Sequence, residues 1–254
     1  MRRRLSALAL GALCHGTFVV AVAAMAFGLF TGLTRGAGPA RGLWAWALDL
    51  ALLSQMPLLH SLLLTPNGRR ALRRLAGQRD GTLDTTLYAT AASAQVLATF
   101  ALWAPLGEQV WIAEGTAWAA LTAGFAAGWL LLGLAMAEAG LGVQTGLTGW
   151  WARLREQPPR YPSFPTRGLH GLVRHPIYAA FMLILWTGPT WTLDRVLLGG
   201  AWSAYCVLGP RLKERRYAQR HGARYLVWAA RTPWFSPARE TEVTPVPEPT
   251  PRGA

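Results

Sequence analysis

Residues 177–208 read IYAAFMLILWTGPTWTLDRVLLGGAWSAYCVL, an apolar stretch that Gly188-Pro189 and Asp194-Arg195 interrupt. A single helix of this length would extend about 48 Å, at about 1.5 Å per residue, which is more than a bilayer core requires. Glycine, proline and a charged pair are typical of a turn. The stretch therefore predicts a helical hairpin whose two shorter helices turn near residues 188–195.

Four further apolar blocks precede this hairpin, and each is long enough to cross a bilayer as a helix, which needs about 20 residues. They comprise residues 8–33, 43–64, 83–106 and 115–137. The chain is 52% hydrophobic and only 15% charged, whereas soluble domains average about 25% charged residues. We therefore predict an all-α, polytopic integral membrane protein with four transmembrane helices and a C-terminal helical hairpin.

The basic residues are distributed unevenly between the segments that join these helices. The chain has 25 basic and 12 acidic residues, and 22 of the basic residues lie in segments that share one side of the membrane in this layout. The three on the other side are Arg35, Arg41 and Arg195. Because multi-pass proteins retain positive charge on the cytoplasmic side, we predict cytoplasmic termini and a multi-pass location in the inner (cytoplasmic) membrane.

The net charge of +13 would also suit a nucleic-acid-binding protein. The neutral blocks are too long and too apolar for that class, and the basic residues lie between the blocks. Such segments suit the anionic phosphates of membrane lipids. We therefore expect membrane lipids, and not nucleic acid, as partners.

Ionisable side chains at membrane depth are costly, so each one is a candidate for function. Asp49 lies inside the second apolar block, His60 near its cytoplasmic end, and Glu138 directly after the fourth block. The alternative is that each side chain pairs with a neighbouring helix or reaches the membrane interface.

The densest group of polar residues comes directly before the hairpin, at Arg174, His175, Pro176 and Tyr178. Proline is favoured at the first position of a helix, whose free N–H groups can bind an anion. The hairpin returns the chain to the same membrane face, where Glu214 follows. Cationic donors, a carboxylate and aromatic rings would together suit S-adenosylmethionine. Alternatively, the segment only anchors a helix.

Two stretches resemble a known family: GLHGLVRHPIYAAFMLILWTGPTWT at residues 168–192 and RLKERRYAQRHGARYLVWAARTPWFSP at residues 211–237. They resemble membrane methyltransferases related to isoprenylcysteine carboxyl methyltransferase and phospholipid methyltransferase. The bacterial branch with methanethiol S-methyltransferase and NnrU-like proteins is nearest. This resemblance implies that S-adenosylmethionine binds beneath the hairpin, and that the acceptor enters from the lipid side or through a short tunnel.

The resemblance assigns roles to individual residues. The family's RHPxY motif is matched by Arg174, His175, Pro176 and Tyr178. Glu214 matches the second of two paired glutamates, whereas Lys213 stands where the first should be. From this departure we expect either weaker cofactor binding or a protein that has left catalysis.

From this match we predict two groups of site residues. The cofactor-binding residues are His175, Pro176, Tyr178 and Glu214. The catalytic residues, which activate the acceptor, are Arg174, His175 and His60. An imidazole can take up a proton near neutral pH, and a fixed positive charge lowers the pKa of a thiol.

The predicted function is S-adenosylmethionine-dependent methylation of a small thiol, such as methanethiol to dimethyl sulfide. Two alternatives are a methyltransferase with an isoprenoid or phospholipid acceptor, and an NnrU-like membrane protein without catalysis. No metal is needed for the reaction, and no metal-ligand spacing is present.

The chain is predicted to have three regions. Residues 1–137 form the four-span region, and residues 138–237 form the cofactor-binding region with the hairpin. Residues 238–254 are rich in proline and polar residues, a composition typical of a disordered tail.

Overall fold

The computed structural model describes residues 2–78 and 80–235 and is mostly helical. Its elements, in chain order, are α1 (Arg2–Phe30), α2 (Leu43–Leu63), α3 (Pro66–Leu75), α4 (Asp84–Leu102), β1 (Gln109–Ile112), α5 (Gly115–Glu138), α6 (Leu141–Gln144), α7 (Leu147–Leu154), α8 (Leu169–Leu172), α9 (Pro176–Thr187), β2 (Thr190–Thr192), α10 (Leu193–His221) and α11 (Ala223–Arg231). The predicted disordered tail, residues 238–254, lies outside the described residues.

Three described helices are long and apolar enough to cross a membrane: Arg3–Phe30, Leu43–Leu63 and Gly115–Glu138. Much of their apolar surface faces outward, as at Leu43, which is 82% exposed, and Leu130, which is 70% exposed. A bilayer would cover such surface, since soluble monomers rarely expose large apolar patches. The structure thus supports a membrane-associated protein.

The predicted span at residues 83–106 forms α4, which packs along α1 and carries several polar residues on its buried face. Gln95 Nε2 donates to Gln55 Oε1 of α2 at 3.0 Å, and Gln55 Nε2 donates to the Gln95 carbonyl at 3.0 Å. Hydrogen bonds of this kind join helices within a membrane. α4 is not among the three described helices that are long and apolar enough to cross a membrane, so the span at residues 83–106 stays a prediction.

The apolar stretch of residues 177–208 is split into two helices. α9 ends at Thr187, α10 begins at Leu193, and the two pack against each other. Thr192 caps α10, because its Oγ1 accepts a hydrogen bond from the Arg195 N–H at 3.1 Å, as is common at a helix N-terminus.

The expectation of a purely helical chain is wrong in one respect. β1 and β2 form a small antiparallel sheet in which Ile112 pairs with Thr190 and Trp111 with Trp191. β-branched and aromatic residues favour strands. The sheet ties the segment after α4 to the turn between α9 and α10.

The sequence placed Arg195 at the external turn of the hairpin, whereas the structure places it in the first turn of α10. It is completely buried, and its guanidinium donates to the carbonyls of Leu29, Leu185 and Thr190; the Leu185 bond measures 2.8 Å. Carbonyls at helix C-termini have no partner within the helix. Arg195 therefore joins the ends of α1 and α9 to the start of α10.

A single apolar core extends through most of these helices. Its members include Leu29, Leu53, Phe100, Phe125, Ile184, Leu198 and Trp202. At one end of this core, the start of α9 meets the charged part of α10 and the segment after α11. The candidate site lies there.

Candidate functional site

The site is built around the start of α9. Pro176 is the first residue of the helix, as the sequence predicted, and His175 is the N-cap residue. The Arg174 N–H donates to the Pro233 carbonyl at 2.8 Å, so the segment after α11 holds this turn in place. His175 is only 2% exposed.

Glu214 of α10 contacts two of the motif residues. Its Oε1 accepts a hydrogen bond from Arg174 Nη1 at 2.8 Å and lies 3.0 Å from His175 Nε2. Because an ionised carboxylate only accepts hydrogen bonds, the hydrogen of a neutral His175 sits on Nε2. Its Nδ1 is then an unprotonated acceptor, and it is buried without a partner among the described residues.

Burial lowers the pKa of His175 to about 3, and the positive charges of Lys213 and Arg174 act in the same direction. The imidazole is therefore neutral at physiological pH. A neutral imidazole can accept a proton, and the adjacent Glu214 carboxylate would stabilise the imidazolium that results.

Aromatic rings enclose this group from two sides. Tyr178 lies edge-on to His175, with ring centroids 5.9 Å apart, and Trp234 lies 5.1 Å from His175. The Arg174 guanidinium lies 5.1 Å from the Trp234 ring centroid, within cation–π range. Trp234 has no role in the predicted site, although it falls within the stretch that carries the resemblance.

An open groove with a volume of about 470 Å³ adjoins these rings, within the usual range of ligand pockets, about 300–1,000 Å³. Its walls are formed by Val207, Arg211, Pro233, Trp234 and Phe235. The groove therefore lies between α10 and the segment after α11, and it shares Trp234 with the site.

His60 lies in a different cluster. Its ring centroid is 5.0 Å from that of Tyr88 and 6.3 Å from that of Tyr205. In the described part of the chain, it makes no hydrogen bond to Arg174, His175 or Glu214. The structure therefore does not bring this predicted catalytic residue into direct contact with the other two.

Glu138 forms local structural contacts. Its carboxylate accepts hydrogen bonds from the N–H groups of Leu169 and His170, at 3.0 and 3.3 Å, and lies 3.0 Å from His170 Nδ1. It thereby holds the short helix α8 in front of the RHPxY motif. Gly168 has φ +61°, and a Cβ there would lie 2.1 Å from Glu138 Oε1, so this turn requires glycine.

Asp49 is likewise explained by a structural contact. Its Oδ1 accepts the Ala104 N–H at 2.9 Å, just after α4 ends. The contact agrees with the alternative interpretation of Asp49, in which an ionisable side chain at membrane depth pairs with a neighbouring part of the chain.

The residues present fit S-adenosylmethionine in their chemistry. Arg174 can bind the ligand's carboxylate and Glu214 its ammonium, while the Trp234 ring can contact the heterocycle and the Tyr178 ring another part of the ligand. Arg174 Nε and Trp234 Nε1 are buried and have no partner among the described residues, so both can donate a further hydrogen bond. For a metal, no group of three or more His, Cys, Asp or Glu side chains was found across the described ranges.

The chain is similar to three proteins that are each named as a methanethiol S-methyltransferase. The chain is 28% identical to a methanethiol S-methyltransferase of a Pseudomonas species over 66% of this chain and 64% of that protein. It is 27% identical to the methanethiol S-methyltransferase of Pseudomonas deceptionensis over 72% of this chain and 70% of that protein. It is 28% identical to methanethiol S-methyltransferase 2 of Bradyrhizobium diazoefficiens over 75% of this chain and 72% of that protein.

The predicted resemblance to this branch of membrane methyltransferases is confirmed. The relatives' names also support the predicted enzyme class, a methyltransferase. The chain spans about two thirds of the length of these relatives. No protein-family profile matches the chain, and no solved structure matches it significantly.

Proposed function

We propose that the chain is an integral membrane methyltransferase that uses S-adenosylmethionine to methylate a small thiol such as methanethiol, giving dimethyl sulfide. The observation that carries this proposal is the contact of Glu214 with both Arg174 and His175. That contact joins the RHPxY motif to the charged part of α10. The names of the similar proteins support the reaction and the acceptor.

The proposed arrangement in the membrane has four crossing helices, α1, α2, α4 and α5, followed by a hairpin of α9 and α10. Both termini lie on the cytoplasmic side of the inner membrane. The uneven distribution of basic residues supports this orientation. The site then opens at the cytoplasmic face, where a soluble cofactor can reach it.

Within this site, Glu214 holds the cofactor's ammonium and Arg174 its carboxylate, since charge-assisted hydrogen bonds are the strongest available for such groups. Tyr178 and Trp234 provide ring surfaces, and Pro176 begins the helix whose free N–H groups face the site. When bound, S-adenosylmethionine supplies the methyl group that the thiol sulfur takes up, and S-adenosylhomocysteine remains.

The protein must also remove the thiol proton. With a pKa of about 3, His175 is too weak a base to deprotonate a resting thiol. Its Nδ1 accepts the proton as the new S–CH3 bond forms, because the S–H group of the methylated sulfur is strongly acidic. Glu214 stabilises the positive charge that forms on the ring. Arg174 lowers the pKa of the thiol through its fixed charge. His60, in the neighbouring aromatic cluster with Tyr88, is the second imidazole that can take up a proton from the thiol acceptor. Alignment and the exclusion of water supply much of the rate.

Headspace analysis tests the reaction and the acceptor together. Purified membranes containing the protein, supplied with S-adenosylmethionine and methanethiol, should release dimethyl sulfide. Membranes with the His175→Ala variant at equal abundance should release no more than membranes without the protein. If the unaltered protein also gives only background, and binds no cofactor, the non-catalytic NnrU-like alternative is favoured.

A further inference from the structure

Lys213 is the single lysine among the 25 basic residues of the chain. Its ammonium group lies over two aromatic rings, with Nζ 5.9 Å from the centroid of Tyr178 and 5.4 Å from that of Tyr217. Both distances are within about 6 Å, the range in which a ring face attracts a cation. Among the described residues, Lys213 forms no ion pair, and the neighbouring Glu214 pairs with Arg174 and His175.

The other surroundings of Lys213 disfavour a positive charge. It lies in the charged part of α10, and burial lowers its pKa to about 8; Arg216 acts in the same direction, whereas Glu214 opposes it. The positive charge of Lys213 also reaches His175, so the ring pair lies beside the proposed site. The ring faces of Tyr178 and Tyr217 and the negative charge of Glu214 thus favour this ammonium, against the effect of burial and of Arg216.

We propose that the faces of Tyr178 and Tyr217 form a binding site for the positively charged sulfur of the cofactor, and that Lys213 competes with the cofactor for it. This inference rests on the proposed function. A sulfonium ion has no N–H or O–H group to donate, whereas a ring face attracts a cation without a hydrogen bond. The product has an uncharged thioether at this position, so the ring pair would favour the cofactor over the product.

The test compares two ligands that differ in this charge. Dissociation constants for S-adenosylmethionine and S-adenosylhomocysteine are measured in detergent for the unaltered protein, Lys213→Met and Lys213→Arg. We expect Lys213→Met to bind S-adenosylmethionine about tenfold more tightly and to change S-adenosylhomocysteine binding less than about twofold. Lys213→Arg keeps the charge and should retain the original ratio of the two constants.

A second pair of variants tests the ring. In the Lys213→Met background, Tyr217→Leu should abolish the gain for S-adenosylmethionine, whereas Tyr217→Phe, which keeps a ring, should preserve most of it. Unchanged melting temperatures in detergent would show that these variants remain folded.

Three results would overturn the inference: equal tightening of both ligands in Lys213→Met, no change in either, or weaker binding of S-adenosylmethionine. Binding of neither ligand to any variant would instead contradict the proposed function, and this inference would fall with it.

Discussion

At the scale of single residues, the protonation state of His175 has a measurable consequence. Because burial lowers its pKa to about 3, the imidazole stays neutral as the pH falls through 6.5, the ordinary pKa of histidine. We therefore expect dimethyl sulfide formation per cofactor-bound protein to stay nearly constant between about pH 7.5 and 6. A loss of activity with an apparent pKa near 6.5 would contradict this assignment.

Gly168 provides a second prediction at this scale. A side chain there would meet the Glu138 carboxylate and would force a left-handed backbone on a residue that disfavours it. Gly168→Ala should therefore destabilise the protein by about 1–3 kcal/mol, measured as a lower melting temperature in detergent. Gly200→Ala is the control, because a Cβ at Gly200 meets nothing within 4 Å. Equal melting temperatures for the two variants would refute the prediction.

At the scale of elements, Arg195 joins the ends of α1 and α9 to α10. Arg195→Met would leave several buried carbonyls without donors, at a cost of about 1–3 kcal/mol for each unsatisfied group. We expect a large drop in melting temperature, whereas Arg35→Met, at an exposed position, should have little effect. A small effect at Arg195 would mean that water or a rearranged helix end satisfies these carbonyls.

The sequence allowed some of these element contacts to be predicted, but not others. Pro176 before an apolar run marked the start of α9, and a turn near residues 188–195 placed Glu214 near Arg174. The burial of Arg195 could not be predicted, because the local sequence around a charged residue beside a turn is the same whether its side chain faces water or the core. Trp234 was missed because its contact with His175 depends on how the chain folds back after α11.

At the scale of the whole molecule, the proposed orientation can be tested with topology reporters. A reporter fused after Ala254 should read as cytoplasmic, and one inserted within residues 108–114 should read as external, because basic residues concentrate on the cytoplasmic side. The three apolar helices support membrane association but carry no information on direction. An external C-terminus would place Arg174 and Glu214 on the side without cofactor and would contradict the proposed function.

The measurement that tests the central claim most directly is the affinity of the detergent-purified protein for S-adenosylmethionine, with and without the Glu214 carboxylate. Glu214→Gln removes the charge that contacts Arg174 and His175 while preserving shape, and it should weaken binding by about tenfold to a hundredfold. Glu156→Gln, at an exposed ion pair with Arg4, should bind as the unaltered protein does. Equal affinity of Glu214→Gln and the unaltered protein would contradict the account.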